Sequence, residues 1–373
     1  MQKKTPKRYA LRLLWLLLIP AALLIKRLAG FSPSFVENVY SQGIYPVLMK
    51  PVSWLTGLFP LSLWEISLIL LVIFIPVWIV VLIIRAIKRK SAKVFVPTLV
   101  NTVMILSIWF FMQTIMWNIN YERYPFSQLA GLDVRPSSVD ELYDLCEQLI
   151  INTNTLRAQV AEDENGVMTV PGGYQSVFDR TQIGFDNAAL KYPFLAGRYG
   201  RPKPVMFSRL MSHTHIIGLY ACITGEANID VDIPDFDLAS TVMHEMAHQR
   251  GFAREDEANY IAWVTCMAHP DPDFKYSASV MSLIYAMNAL YGEDPDLYFA
   301  LSKNYSEGLK RDLADSSTYW KQFQGTAQKV ADIVNDTYIK LNGDANGVKS
   351  YGRMVDLLLA EYRKNSLKLL PEP

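Results

Sequence analysis

Cysteine is nearly absent from the 373-residue chain: Cys146, Cys222 and Cys266 are odd in number, and none belongs to a C-x-x-C pair. A disulfide framework and a thiolate zinc site are therefore excluded, and at most one bridge is possible. Internal repeats and low-complexity tracts are missing, and a hydrophobic share of 51% excludes disorder. Acid is scarce in one part only. Residues 1–118 hold 13 lysines and arginines against two acids, Glu37 and Glu65, whereas the rest of the chain holds 23 basic and 34 acidic side chains. The formal net charge of zero thus hides a basic piece and an acidic piece. Because the globular part is acidic, nucleic acid is not an expected partner, since such binding rests on neutralising phosphates. A mean hydropathy of +0.11 beside 19% charged residues fits a membrane part joined to a water-exposed part.

Leu63–Ile84 carries no charge except Glu65, and Val94–Trp117 carries none. About 20 apolar residues cross a bilayer core as helix, so both are read as spans, and the aromatic residues near Trp117 suit an interfacial belt. Leu13–Ile25 precedes Lys26 and Arg27 with no small-x-small cleavage site, which predicts an uncleaved first span over about residues 10–29. Five lysines and arginines lie between Arg85 and Lys93, with no acid among them. The positive-inside rule places this link in the cytoplasm, together with the N-terminus. The expected division is a membrane anchor over 1–117, spanning at about 10–29, 63–84 and 94–117, and an extracytoplasmic domain over 118–373, with the bilayer of the cytoplasmic membrane as partner.

In the second part, Val139–Val160, Ser316–Leu341 and Met354–Tyr362 have the periodicity of amphipathic helices, the second ending at Asn342-Gly343. Turns are expected at Pro171-Gly172-Gly173 and Gly197–Gly200. Asn228–Ile233 alternates, with Ile229, Val231 and Ile233 on one side and Asn228, Asp230 and Asp232 on the other, the pattern of a half-exposed strand that Pro234 stops.

After that strand, Asp235 or Asp237 can cap a helix running through Leu238, Val242 and Met246, with Gly251 placed to end it. His244 and His248 are four residues apart on this helix and share a face, with Glu245 beside them. In H-E-x-x-H on a helix, the two histidines hold zinc and the glutamate acts as base on a water. Imidazole suits a borderline ion such as Zn²⁺, and a carboxylate near the activated water can move its proton to a leaving amine. Three fixed letters occur by chance as well, on helices whose histidines are ordinary core or surface residues. The helix context, the preceding strand and the downstream acids favour the metal. A catalytic zinc needs a third protein ligand, for which Glu255, Asp256 and Glu257 are candidates. Glu255 and Glu257 lie about 200° apart around a helix, so only one can face the metal. Glu255 has Asn259 four residues on, a polar group able to orient a ligand, whereas Glu257 has Ile261 there, which favours Glu255 and keeps Glu257 as the alternative.

HEMAHQRGFAREDEAN, the three N-terminal spans and the preceding TGEAN segment resemble an uncharacterised bacterial membrane family, domain of unknown function 3810. More broadly, H-E-x-x-H followed by E-x-x-A-N is similar to the glutamate-ligand zincins. That similarity implies His244, His248 and Glu255 as zinc ligands and Glu245 as base, in an α+β, mainly helical zincin-like domain with a small sheet. The pattern's final acid is Asn259 here, and the gap between the histidines and the glutamate is short.

The other histidines offer less. Ser212-His213-Thr214-His215 can bring two rings to one side of a strand, but no acid or cysteine stands at ligand spacing. His269 before Pro270 reads as a solvated loop residue, and Cys266 as a small core residue. Tyr220, Tyr351 and Arg353 are candidate donors to a developing oxyanion. In zincins an edge strand pairs with an extended substrate, a role open to Asn228, Ile229, Asp230 and Val231, although a charge-protected edge is an equal reading.

A membrane-anchored zinc metallopeptidase acting on a peptide or envelope protein is thus the expectation. The rival is a non-catalytic exported binding domain with or without structural zinc. Asn101, Thr102 and Gln113 give a transporter no convincing ion path. A reporter active only outside the cytoplasm is expected to be silent when fused after Ser91 and active after Asn118; the opposite pattern would invert the topology.

Overall fold

The computed structural model describes residues 11–342, 347 and 352–367. Three of its helices are long and apolar enough to cross a membrane: α1 (Leu11–Gly30), α2 (Leu63–Arg89) and α3 (Ala92–Met116). Their side chains are largely unburied by protein, Val72 and Leu99 among them, as lipid-facing residues would be. A left-handed Lys90 ends α2 and turns the chain into α3 through the basic link.

The start of α2 is tied to the rest of the molecule by charge. Glu226 accepts hydrogen bonds from the Leu63 and Trp64 amides, two of the N–H groups that a helix start leaves without partners. In return Glu65, the one acid of the span, accepts from the Met206 and Phe207 amides. A polar group at a span's end therefore anchors a soluble segment.

The expected anchor over 1–117 is not purely membranous. Between α1 and α2 the chain forms a π-helix, Val36–Ile44, that runs on into an α-helix, Tyr45–Gly57. Val36, Tyr45 and Met49 of this connector are buried, and Glu37 forms a two-pronged pair with Arg123, both bonds 2.7 Å. Both partners are almost wholly shielded from solvent.

The second part is mainly helical. Val139–Arg157 starts at a Ser138–Glu141 capping box and ends three residues short of the expected Val160. It packs against a long helix, α6 (Pro272–Glu293), and with α4 (Asp235–Gln249) and α5 (Glu255–Met267) the two enclose a core containing Val242, Met243, Ala258, Ile261 and Val280. The helix expected over Ser316–Leu341 is broken. One helix ends at Lys321, Phe323 turns inward beside His213, Tyr319 and Trp320, and α7 (Thr326–Leu341) starts afresh after Gly325. Met354–Leu367 closes the described chain.

A three-stranded sheet has the order β1 (Lys203–Pro204), β3 (Glu226–Ile229), β2 (Gly218–Ala221). β1 runs parallel to β3 with Lys203 opposite Asn228, and β2 runs antiparallel with Gly218 opposite Ile229. The expected half-exposed strand is therefore corrected: β3 is central and buried. Its polar residues are spent on internal partners. Asn228 donates to the Leu219 carbonyl, Glu226 holds α2, and Asp230 just beyond the strand accepts from Ser212 and the Asp232 amide. The free edge beside α4 belongs to β2.

Replacing Glu37 by Gln leaves the Arg123 guanidinium buried and uncompensated. The variant should lose about 3–5 kcal/mol of stability, visible as a lowered thermal midpoint of the full chain in detergent.

Candidate metal centre

Two turns of α4 and the first turn of α5 build the site. The helix α4 starts after Pro234, not at a capping aspartate, because the Asp235 carboxylate is engaged by the Thr169 hydroxyl and the Val170 amide. At its other end Gly251 adopts φ +80°, and the Gly251 and Phe252 amides donate to the His248 and Ala247 carbonyls. The chain reverses there, so Glu255 at the head of α5 returns to the face that carries both histidines.

The His244 and His248 Nε2 atoms lie 3.1 and 3.5 Å from Glu255 Oε2. One ligand atom from each of the three residues falls within 4.8 Å of the others. Oxygens that can only accept fix the tautomers. His244 Nδ1–H donates to Asn259 Oδ1 at 2.7 Å, and His248 Nδ1–H to the Phe252 carbonyl at 2.6 Å. Each ring is thereby turned with Nε2 towards the shared point, the arrangement that raises a histidine's basicity as a metal ligand.

Glu257 faces away. Its carboxylate accepts from the Phe126 amide and the Arg254 guanidinium, and Asp256 pairs with Arg353. Among the three acids it is Glu255 that joins the histidines.

Glu245 is 5% exposed, and its Oε2 has no hydrogen-bond partner among the described residues. A buried carboxylate oxygen without a partner is costly unless something else occupies that place. The other oxygen, Oε1, packs against the β2 backbone at a place where only glycine fits: a Cβ on Gly218 would stand 2.4 Å from it. Burial raises the Glu245 pKa, the two imidazoles oppose this, and Glu255 adds to it. Burial alone would lower His248, but the Glu255 carboxylate overrides it and pushes the imidazole up to about 9. Burial would likewise raise Glu255, yet the imidazoles hold it well below the carboxylate range. Two buried carboxylates beside two imidazoles call for positive charge, and a divalent cation fits that demand and this set of nitrogen and oxygen donors.

Aromatic rings wall the site. Trp117 stands edge-on to His248 at 5.4 Å, and Tyr220 lies 5.0 Å from Trp117. The Tyr45 hydroxyl donates to the His248 carbonyl and shares a hydrogen bond with Tyr220. Trp117 Nε1–H donates to the Tyr338 hydroxyl on α7. Tyr45, Trp117, Gly218 and Tyr338 carried no readable signal in the sequence, apart from the belt position of Trp117.

Other expected residues lie elsewhere. Asn228, Ile229 and Asp230 are fully buried, and β3 is paired on both sides at Asn228 and Ile229, so these residues offer no free strand edge, while Val231 lies beyond the strand. His213 and His215 pack on Phe323 and Trp320. His269 is not solvated: it is buried, stacked 3.8 Å from the Phe274 ring, and accepts from the Asp271 amide. Cys266 is a core residue. Tyr220 joins the site wall, Arg353 does not reach it, and Tyr351 lies outside the described residues.

The model of a family described as "Protein of unknown function (DUF3810)" matches residues 40–359. No curated protein and no solved structure matches.

Metal analysis of the purified full chain should find one zinc per molecule, lost in His244→Ala and in Glu255→Gln. Glu257→Gln should keep the metal and lower the thermal midpoint. Asn259→Ala should weaken zinc affinity about 10–100-fold, read by competition with a chelator.

Proposed function

For a chain that belongs to the DUF3810 family, we propose the function of a membrane-anchored zinc metallopeptidase that hydrolyses peptide bonds on the extracytoplasmic side of the cytoplasmic membrane, with a zincin-like catalytic domain. One observation carries the reading: His244, His248 and Glu255 converge in a buried cluster while Glu245, between the histidines, packs one oxygen against Gly218 and keeps the other shielded without a hydrogen-bond partner among the described residues. A metal that only stabilised the fold would have no use for that oxygen.

Zinc held by the three ligands would polarise a scissile carbonyl and acidify a neighbouring water. The remaining roles fall to the chain itself. Glu245 accepts a proton as the water oxygen adds to the carbonyl carbon, and returns it to the amine nitrogen as the C–N bond breaks. The free edge of β2, Gly218–Ala221, offers main-chain N–H and C=O groups to an extended substrate, which it would hold beside Glu245. Burial by Trp117 and Tyr220 excludes bulk water and strengthens the electrostatics of the site. An envelope protein or peptide in extended form is the substrate class this edge would accept.

Glu245→Gln should keep zinc and lower hydrolysis of unfolded envelope peptides by about 10²–10⁴-fold. Gly218→Ala, whose methyl group collides with Glu245, should do the same. Zinc-loaded wild type that binds such peptides without cleaving them would favour the non-catalytic binding domain instead.

A further inference from the structure

The helix α7 has its apolar side turned outward. Ile339 and Asn342 face the protein and are buried, while Val330, Ile333, Val334 and Leu341 are 55%, 67%, 62% and 77% exposed. At 100° per residue these four, with Tyr338, form one continuous stripe. Lys329, Asp332, Asp336 and Lys340 occupy a separate, charged side. A water-facing helix would present the charged side and bury the stripe.

The ends of α7 show what lies against it. Near its start, Gln322 accepts from Arg209 at 3.3 Å, on a short segment whose Met206 and Phe207 amides are held by Glu65 at the head of span α2. At its end, Asn342 accepts from Lys26 of span α1 at 3.4 Å, and Tyr338 accepts from Trp117, the residue that follows span α3. The domain-side ends of α1 and α3 therefore contact α7 directly, and the head of α2 reaches the turn before it through the segment of Met206 to Arg209. Phe207 and Leu210, also strongly exposed, extend the apolar surface beside it. The stripe is thus carried by a helix whose C-terminal part is held against the ends of two apolar spans.

We propose that α7 lies on the bilayer, with Val330, Ile333, Val334 and Leu341 set among the lipids of the leaflet on the domain's side, and that it holds the cluster of His244, His248 and Glu255 at the membrane surface through the contact of Tyr338 with Trp117. The partner is lipid, as for other interfacial amphipathic helices. This placement does not depend on whether Glu245 acts as a base.

The test uses the full chain in nanodiscs, some containing phosphatidylcholine brominated in the acyl chain. Environment-sensitive fluorophores are attached at Val334→Cys and, for the charged side, at Asp332→Cys; the three native cysteines are buried. The Val334 label should emit at shorter wavelength than the Asp332 label and be quenched by the brominated lipid, while the Asp332 label is not. Equal, water-like emission from both would overturn the proposal. A blue-shifted Val334 label that brominated lipid leaves unquenched would also overturn it, showing a second copy of the chain or another protein on the stripe.

Discussion

The Arg123 guanidinium holds together parts of the chain that are far apart in sequence. It donates two hydrogen bonds to Glu37 and one to the Gly251 carbonyl, and it lies 3.9 Å over the Phe252 ring. Gly251 and Phe252 form the end of the motif helix, and the Phe252 carbonyl is the group that orients His248. From the connector between α1 and α2 to the His248 ring there is thus a line of contacts that passes through Arg123 and the Gly251–Phe252 backbone. Gln249, next in sequence, reinforces it by donating to the Gly200 and Gly225 carbonyls. A buried ion pair adds little net stability, but it fixes geometry, because no other arrangement satisfies both charges.

What could be read in advance was local. The spans announce themselves by unbroken apolar runs, and the histidines by a spacing of four on a helix. Glu255 was separable from Glu257 because its supporting Asn259 stands one turn further along the same helix. The strand was misread because alternation reports only which residues are polar. Asn228, Glu226 and Asp230 are polar but find partners on Leu219, at the start of α2 and on Ser212, none of them predictable from spacing. β2 was missed for the opposite reason: four residues, Gly218–Ala221, are too few to show a period. His269 was taken for solvated because a loop before proline is usually exposed, whereas here Phe274 supplies a ring to stack on.

Two glutamates close in space are given different roles by their surroundings. Glu255 lies against two imidazole nitrogens, which hold its pKa below the carboxylate range in spite of burial. Glu245 has one oxygen packed against Gly218 and the other, Oε2, buried without a hydrogen-bond partner among the described residues. The same side chain, one helical turn and a loop further along, thus finds close nitrogen partners in one place and leaves an oxygen without any in the other. The aromatic wall from Tyr45, Trp117 and Tyr220 drains water from both and ties the site to the ends of the spans.

The pairing of Glu37 with Arg123 also orders biogenesis. Glu37 follows the first span and Arg123 the third, so their contact requires that both segments stand on the same side of the membrane. Until the third span has been inserted, Gly251 and Phe252 lack their brace and His248 its fixed orientation. The cluster of His244, His248 and Glu255 is therefore complete only once all three spans are in place, so its assembly is a late event in the life of the chain.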